Sequence, residues 1–121
     1  MSDKKIEIPG VNAEYGLGLC DDDQEIYLSS LRLYSKNIPG TLEKMKTVCE
    51  NTIKDYTVCV HGIKGMSEYI GALDIKMAAK DLEEKAKNGN LDAILSENAA
   101  FIKKVENLLS CIGSWLEKND A

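Results

Sequence analysis

Residues 60–72 read Val-His-Gly-Ile-Lys-Gly-Met-Ser-Glu-Tyr-Ile-Gly-Ala. Advancing about 100° per residue around a helix axis gathers Cys59, Val60, Ile63, Ser67 and Ile70 on one arc, roughly 160–260° from His61. His61 then lies on the opposite, solvent-facing side, with Thr57, Lys64, Gly65 and Glu68 all within about 60° of it. The stretch is an amphipathic helix with its lone histidine outward. It begins near Thr52, carries Ile53 and Tyr56 inward, and is ended by Gly71.

The same spacing of three and four recurs on both sides of this helix. Upstream, Ile8-Pro-Gly-Val11 is an extended or turning approach, and Asn12 is suited to cap a short helix reaching about Leu19. Asp21, Asp22 and Asp23 offer capping carboxylates for the next helix, which holds Tyr27, Leu31, Tyr34 and Ile38. Pro39-Gly40 is expected to kink or interrupt it before Leu42, Met45 and Cys49 continue inward from Thr41. Downstream, Asp74 is a candidate cap for a helix with Ile75, Ala79, Leu82 and Ala86, closing at Asn88-Gly89. A last helix runs from about Leu91 to Glu117, with Ile102, Val105, Leu109, Ile112 and Leu116 as its apolar stripe. Several such segments joined by short turns predict an all-α chain: an antiparallel four-helix bundle with a short additional N-terminal helix. Residues 1–7 form a flexible polar lead-in, and residues 8–121 the bundle domain.

Composition fits one compact domain. The 121 residues are 44% apolar and 29% charged, with a net charge of −5. No basic excess suggests a nucleic-acid surface. The opening Met-Ser-Asp-Lys-Lys-Ile-Glu lacks a signal peptide's apolar core, and no stretch approaches the ~20 apolar residues of a membrane span. A soluble, cytoplasmic protein is therefore expected. Four widely separated cysteines (Cys20, Cys49, Cys59, Cys111) read as reduced, packed thiols. Cys59 and His61 project about 200° apart on one helix, so they do not make a metal site.

Candidate chemistry converges on the quoted helix. A single histidine rules out histidine metal clusters and leaves no Ser-His-Asp set, and there is no Gly-x-x-x-x-Gly-Lys-Ser/Thr phosphate loop. Gly62 and Gly65 each cost about 1 kcal/mol relative to alanine inside a helix. Gly62 is open to explanation as a place where another helix packs close. Gly65 shares the exposed face with His61, where a bare patch gives something large access to the ring. Lys64 places a cation one turn away, suited to a phosphoryl group. A neutral imidazole is a good nucleophile near pH 7 without a separate base. Equal rise along an antiparallel neighbouring helix brings His61 level with Leu82 and Glu83. Glu83 is thus either the acceptor of the ring's Nδ1–H or one of several surface acids with Asp81 and Glu84.

His61-Gly-Ile63-Lys64-Gly65-Met-Ser67 followed by Gly71-Ala72 resembles the helix motif His-x-Leu/Ile-Lys-Gly-x-Ser/Ala of the histidine-containing phosphotransfer (HPt) domains of two-component phosphorelays. Ala79, Leu82-Glu83, Ala86 and Gly89 resemble that family's Ala-x-x-Leu-Glu-x-x-Ala-x-x-Gly stretch. Ile8-Pro-Gly-Val11, Gly16-Leu17 and Asp23-x-x-Ile26-Tyr27 are similar to its opening, so the resemblance covers about residues 8–117. Val60 stands where alanine is common, and Lys44–Lys54 lacks a short glycine-containing turn often found there. The resemblance implies that His61 Nε2 becomes a phosphohistidine, accepting the phosphoryl group from a receiver-domain aspartate and passing it to another receiver. Implied partners are response-regulator receivers and a hybrid sensor kinase. Lys64 would neutralise phosphate charge, while Thr57, Gly62, Gly65 and Glu68 would lie under the docked receiver. The receiver would supply Mg²⁺, so the protein would need no cofactor or metal of its own. It would act as a monomeric carrier with no kinase activity.

Two other readings compete. One is a helical interaction module that binds receivers or other signalling proteins without phosphorylation, against which the retained histidine speaks. The other is an autokinase's dimerisation segment, which would need an ATP-binding domain that this chain lacks.

Overall fold

A computed structural model describes residues 5–119. Among the described residues there are no strands. Five α-helices follow in order: α1 (Ala13–Leu19), α2 (Gln24–Met45), α3 (Ile53–Ile70), α4 (Leu73–Lys87) and α5 (Leu91–Asn119), with a 3₁₀ turn at Glu50–Thr52 leading into α3. None is long and apolar enough to cross a membrane.

The local starts and stops follow from side-chain chemistry. Asn12 caps α1, its Oδ1 accepting the Tyr15 N–H at 3.0 Å. Asp23 caps α2 in the same way through the Ile26 N–H, at 3.2 Å. Asp21 and Asp22 do not share that task. Both adopt left-handed backbone (φ 53° and 61°) in the turn between α1 and α2, a conformation that aspartate tolerates better than most residues. Pro39 does not interrupt α2, which runs through it. The proline is exposed, while Ile38 and Leu42 beside it are buried, so core contacts hold the helix on line despite the missing N–H.

After Met45 the chain leaves helical geometry, and the three-four spacing no longer predicts burial. Cys49 is therefore exposed and Val48 takes the inward place. On α5, likewise, Leu108 is buried while Leu109 and Leu116 are half-buried against the core.

Gly71 adopts φ +85° at the end of α3. Its N–H donates to the Glu68 carbonyl and the Ala72 N–H to the Ser67 carbonyl, at 3.0 and 2.8 Å, which closes the helix end. The Gly71 carbonyl also accepts the Asn12 N–H at 2.8 Å, and an added Cβ would collide with the Asn12 backbone. The turn leads directly through Ala72 into α4, so Ala72 rather than Asp74 holds the cap position. Asp74 lies inside the first turn, where its charge still favours the helix dipole.

Helices α2 to α5 pack in a closed circuit, α2 on α3, α3 on α4, α4 on α5 and α5 on α2, while α1 lies against α3 and α2. Gly16 allows that last approach, since a Cβ there would meet the Tyr27 ring and the Ile70 carbonyl. The core holds Leu31, Ile38, Val60, Ile63, Ile94, Val105 and Ile112. Tyr27 donates to the Ile70 carbonyl at 2.7 Å, and Tyr34 and Ser67 share a bond of 2.8 Å, whereas the buried Ser35 hydroxyl on α2 has no partner among the described residues. Asn98 accepts the Tyr56 hydroxyl at 2.9 Å and donates to the Met45 carbonyl at 2.8 Å, tying α5 to α3 and to the end of α2. Residues 1–4 of the expected lead-in lie outside the described residues. Ile6 packs against the core and Ile8 is buried in it.

Candidate functional site

The α3–α4 turn sets the register of the site. His61 precedes Gly71 by ten residues and Glu83 follows Leu73 by ten, so the two side chains meet across the helix pair. His61 Nδ1 lies 2.6 Å from Glu83 Oε2. Lys64 Nζ donates to the other carboxylate oxygen, Oε1, at 2.5 Å, and Lys87 Nζ stands 3.5 Å from Oε2. The Glu83 side chain is only 4% exposed, whereas that of His61 is 66% exposed. Glu83 is thus no surface acid. Its neighbour Asp81 is exposed and engages Lys85 at 2.7 Å, and Glu84 faces solvent.

The hydrogen bond from Lys64 holds the Glu83 carboxyl far below its ordinary range, at about 2. Burial opposes this, and the His61 hydrogen bond and the charges of Lys64 and Lys87 support it. Glu83 is accordingly ionised at neutral pH. A carboxylate only accepts, so the nitrogen facing it, Nδ1, carries the ring proton. In the neutral ring the lone pair then sits on Nε2, which has no hydrogen-bond partner among the described residues.

Both glycines beside His61 are bare. A Cβ built on Gly62 or Gly65 meets nothing within 4 Å. Gly62 therefore makes no room for a neighbouring helix, and packing inside this chain explains neither residue. On the same flank Val58 is 72% exposed and Tyr69 43% exposed, both about 60–80° around α3 from His61. Thr57 is half-buried and its hydroxyl donates to the Ile53 carbonyl at 2.8 Å. Glu68 is engaged on the other flank, accepting the Tyr15 hydroxyl at 3.0 Å and pairing with Lys76 at 3.4 Å. The Tyr15 hydrogen bond, then Lys76, pulls its carboxyl below the usual range.

The structure thus brings His61, Lys64 and Glu83 into contact and leaves Gly62 and Gly65 open beside them. Thr57 and Glu68 share the helix face but point their polar atoms elsewhere. Sequence reasoning passed over Lys87, although its spacing of four from Glu83 on one helix was a usable signal. It also passed over Val58, an apolar residue on the polar side of the α3 wheel. Among the described residues no group of three or more His, Cys, Asp or Glu side chains is placed to hold a metal ion.

Chemically, the arrangement is a nucleophilic nitrogen with its opposite nitrogen held by an ionised carboxylate, a cation one turn away and a cleared approach. Comparison with family models, with curated proteins and with solved structures returned no match.

Proposed function

We propose that this protein is a histidine phosphotransfer carrier of a phosphorelay, with His61 Nε2 as the phosphorylated atom. The observation that carries this reading is the His61–Glu83 pair. A buried, ionised carboxylate fixes the tautomer and leaves Nε2 directed outward, between side chains that build no wall around it. The motif around His61 supports the same reading.

In the transfer, the Nε2 lone pair attacks the phosphorus of a receiver's aspartyl phosphate. An N–P bond forms, the acyl P–O bond breaks, and the receiver regains its aspartate carboxylate. Nδ1 keeps its proton throughout, so the phosphorylated ring is an imidazolium. Glu83 stabilises that positive charge. The cationic ring remains a good leaving group, and the reverse sequence delivers the phosphoryl group to a second receiver. Lys64 adds positive charge beside the three phosphoryl oxygens, while Gly62, Gly65 and Val58 form ground on which a receiver docks.

In this reading the chain is a carrier rather than an enzyme, a cytoplasmic monomer with receivers and a hybrid sensor kinase as partners. Mg²⁺ belongs to the receiver's active site. The finer architecture that goes with it is an antiparallel four-helix bundle of α2–α5 with α1 as the additional N-terminal helix.

The test is incubation with a phosphorylated receiver and no ATP. The expected result is a label that is labile to acid, stable to base, and absent from His61→Gln of unchanged helicity. Binding of the receiver without any transfer of label would favour the phosphorylation-independent module instead, and labelling directly by ATP would overturn the carrier reading.

A further inference from the structure

Lys64 has two claims on one ammonium group. It now donates to Glu83 Oε1, yet the proposed transfer needs its charge at the phosphoryl oxygens on Nε2. A carboxylate that is 4% exposed does not stay ionised without a cation, so Lys64 cannot turn away unless another takes its place. Lys87 stands ready. It lies one turn beyond Glu83 on α4, with Nζ 3.5 Å from Oε2, too far for a tight charge-assisted hydrogen bond but within a small rotation of one. Its side chain is 63% exposed, and among the described residues Glu83 is its only ion-pair partner. Lys85, the other cation of that turn, is committed to Asp81 and Glu97, both at 2.7 Å. A carboxylate accepts up to about four hydrogen bonds, so Oε2 has room for Lys87 beside the ring N–H.

We propose that Lys87 is a positioning residue for phosphoryl transfer: it closes onto Glu83 as the replacement counter-ion when Lys64 moves to the phosphoryl group. Lys87 acts through Glu83 and touches neither phosphorus nor nucleophile. This rests on the carrier reading above, and it adds a division of labour between two lysines. One stabilises the transferred group and the other keeps the ring's orienting carboxylate charged.

The experiment compares wild type, Lys87→Ala, Lys87→Arg, Lys64→Ala and the double alanine variant in single-turnover transfer from a phosphorylated receiver. Maximal rate and half-saturating receiver concentration are read separately. The exposed Lys87 at the end of α4 is replaceable without loss of the fold, which circular dichroism checks. Lys87→Ala is expected to lower the maximal rate about tenfold, equivalent to about 1.4 kcal/mol, at unchanged half-saturation. Lys87→Arg should restore most of the rate. In the Lys64→Ala background the same change should cost at least as much, because Lys87 is then the only lysine left to pair with Glu83. A Lys87→Ala rate equal to wild type would overturn the proposal. So would a double variant no slower than Lys64→Ala, which would show that Glu83 needs no replacement counter-ion, or a loss confined to half-saturation, which would place Lys87 in direct contact with the partner. Failure of the wild type to take up label would instead overturn the carrier reading itself.

Discussion

At His61 the ring is held from one side and open on the other, and the consequences are measurable at single residues. Glu83 titrates near 2 instead of near 4.5, because Lys64 donates to it and burial does not overcome that bond. A carboxyl whose pKa is depressed by folding adds stability that is present above about 4.5 and is lost as pH falls through about 2. The site opens to water at His61, so screening reduces the contribution to about 1–2 kcal/mol. Glu83→Gln should lose that amount at neutral pH in denaturant melts and should lack the wild-type decline between pH 4.5 and 2. The amide still accepts the Nδ1–H but answers the imidazolium charge weakly, so transfer should slow roughly tenfold.

Gly65 gives a complementary expectation. With nothing near its missing Cβ, Gly65→Ala should stabilise the helix by about 1 kcal/mol, which raises Tm by about 4 °C at this chain length. Transfer should nevertheless fall by at least about tenfold if a receiver closes over the bare patch. A stabilised variant with undiminished transfer would remove Gly65 from the docking ground.

At the scale of helices, the decisive features are where they run on and where they stop. Proline inside a helix deletes one hydrogen bond and crowds the carbonyl four residues earlier, yet α2 passes through exposed Pro39 between buried neighbours. Pro39→Ala should therefore raise stability by about 1–3 kcal/mol without altering transfer, as read from chemical denaturation and the labelling rate together. Pro39 also marks one boundary of what the chain reveals unaided. Its local preference is visible in sequence, but the burial of Ile38 and Leu42 that overrides it is a tertiary fact. The caps at Asn12 and Asp23 and the stop at Gly71 were legible because they depend on side chains a few residues apart. Asp74 was misplaced for the converse reason: the backbone turn at Gly71 enters α4 before an aspartate is needed. Cys49 was misplaced because helical spacing was carried past Met45, where α2 ends.

For the whole molecule, the outward face of α3 could be worked out from one helix, whereas the state of Glu83 could not. Whether that carboxylate is a surface acid or the ring's anchor depends on the packing of α4 against α3, and Lys87 acquires meaning only once Glu83 is buried. The circuit of α2 to α5 supplies the frame, and α1 is tied to the α3–α4 turn through the hydrogen bond from the Asn12 N–H to the Gly71 carbonyl. Tyr15 and Lys76 hold Glu68 along the same seam.

The proposed carrier atom, Nε2 of His61, is the point on which the rest depends. After transfer from a phosphorylated receiver, the ¹⁵N–³¹P coupling in histidine-labelled protein identifies the nitrogen bonded to phosphorus. Coupling to Nε2 of His61, with Nδ1 still protonated, is the expected result. Coupling to Nδ1, or phosphate on any other residue, would contradict a site in which Glu83 holds one face of the ring and presents the other.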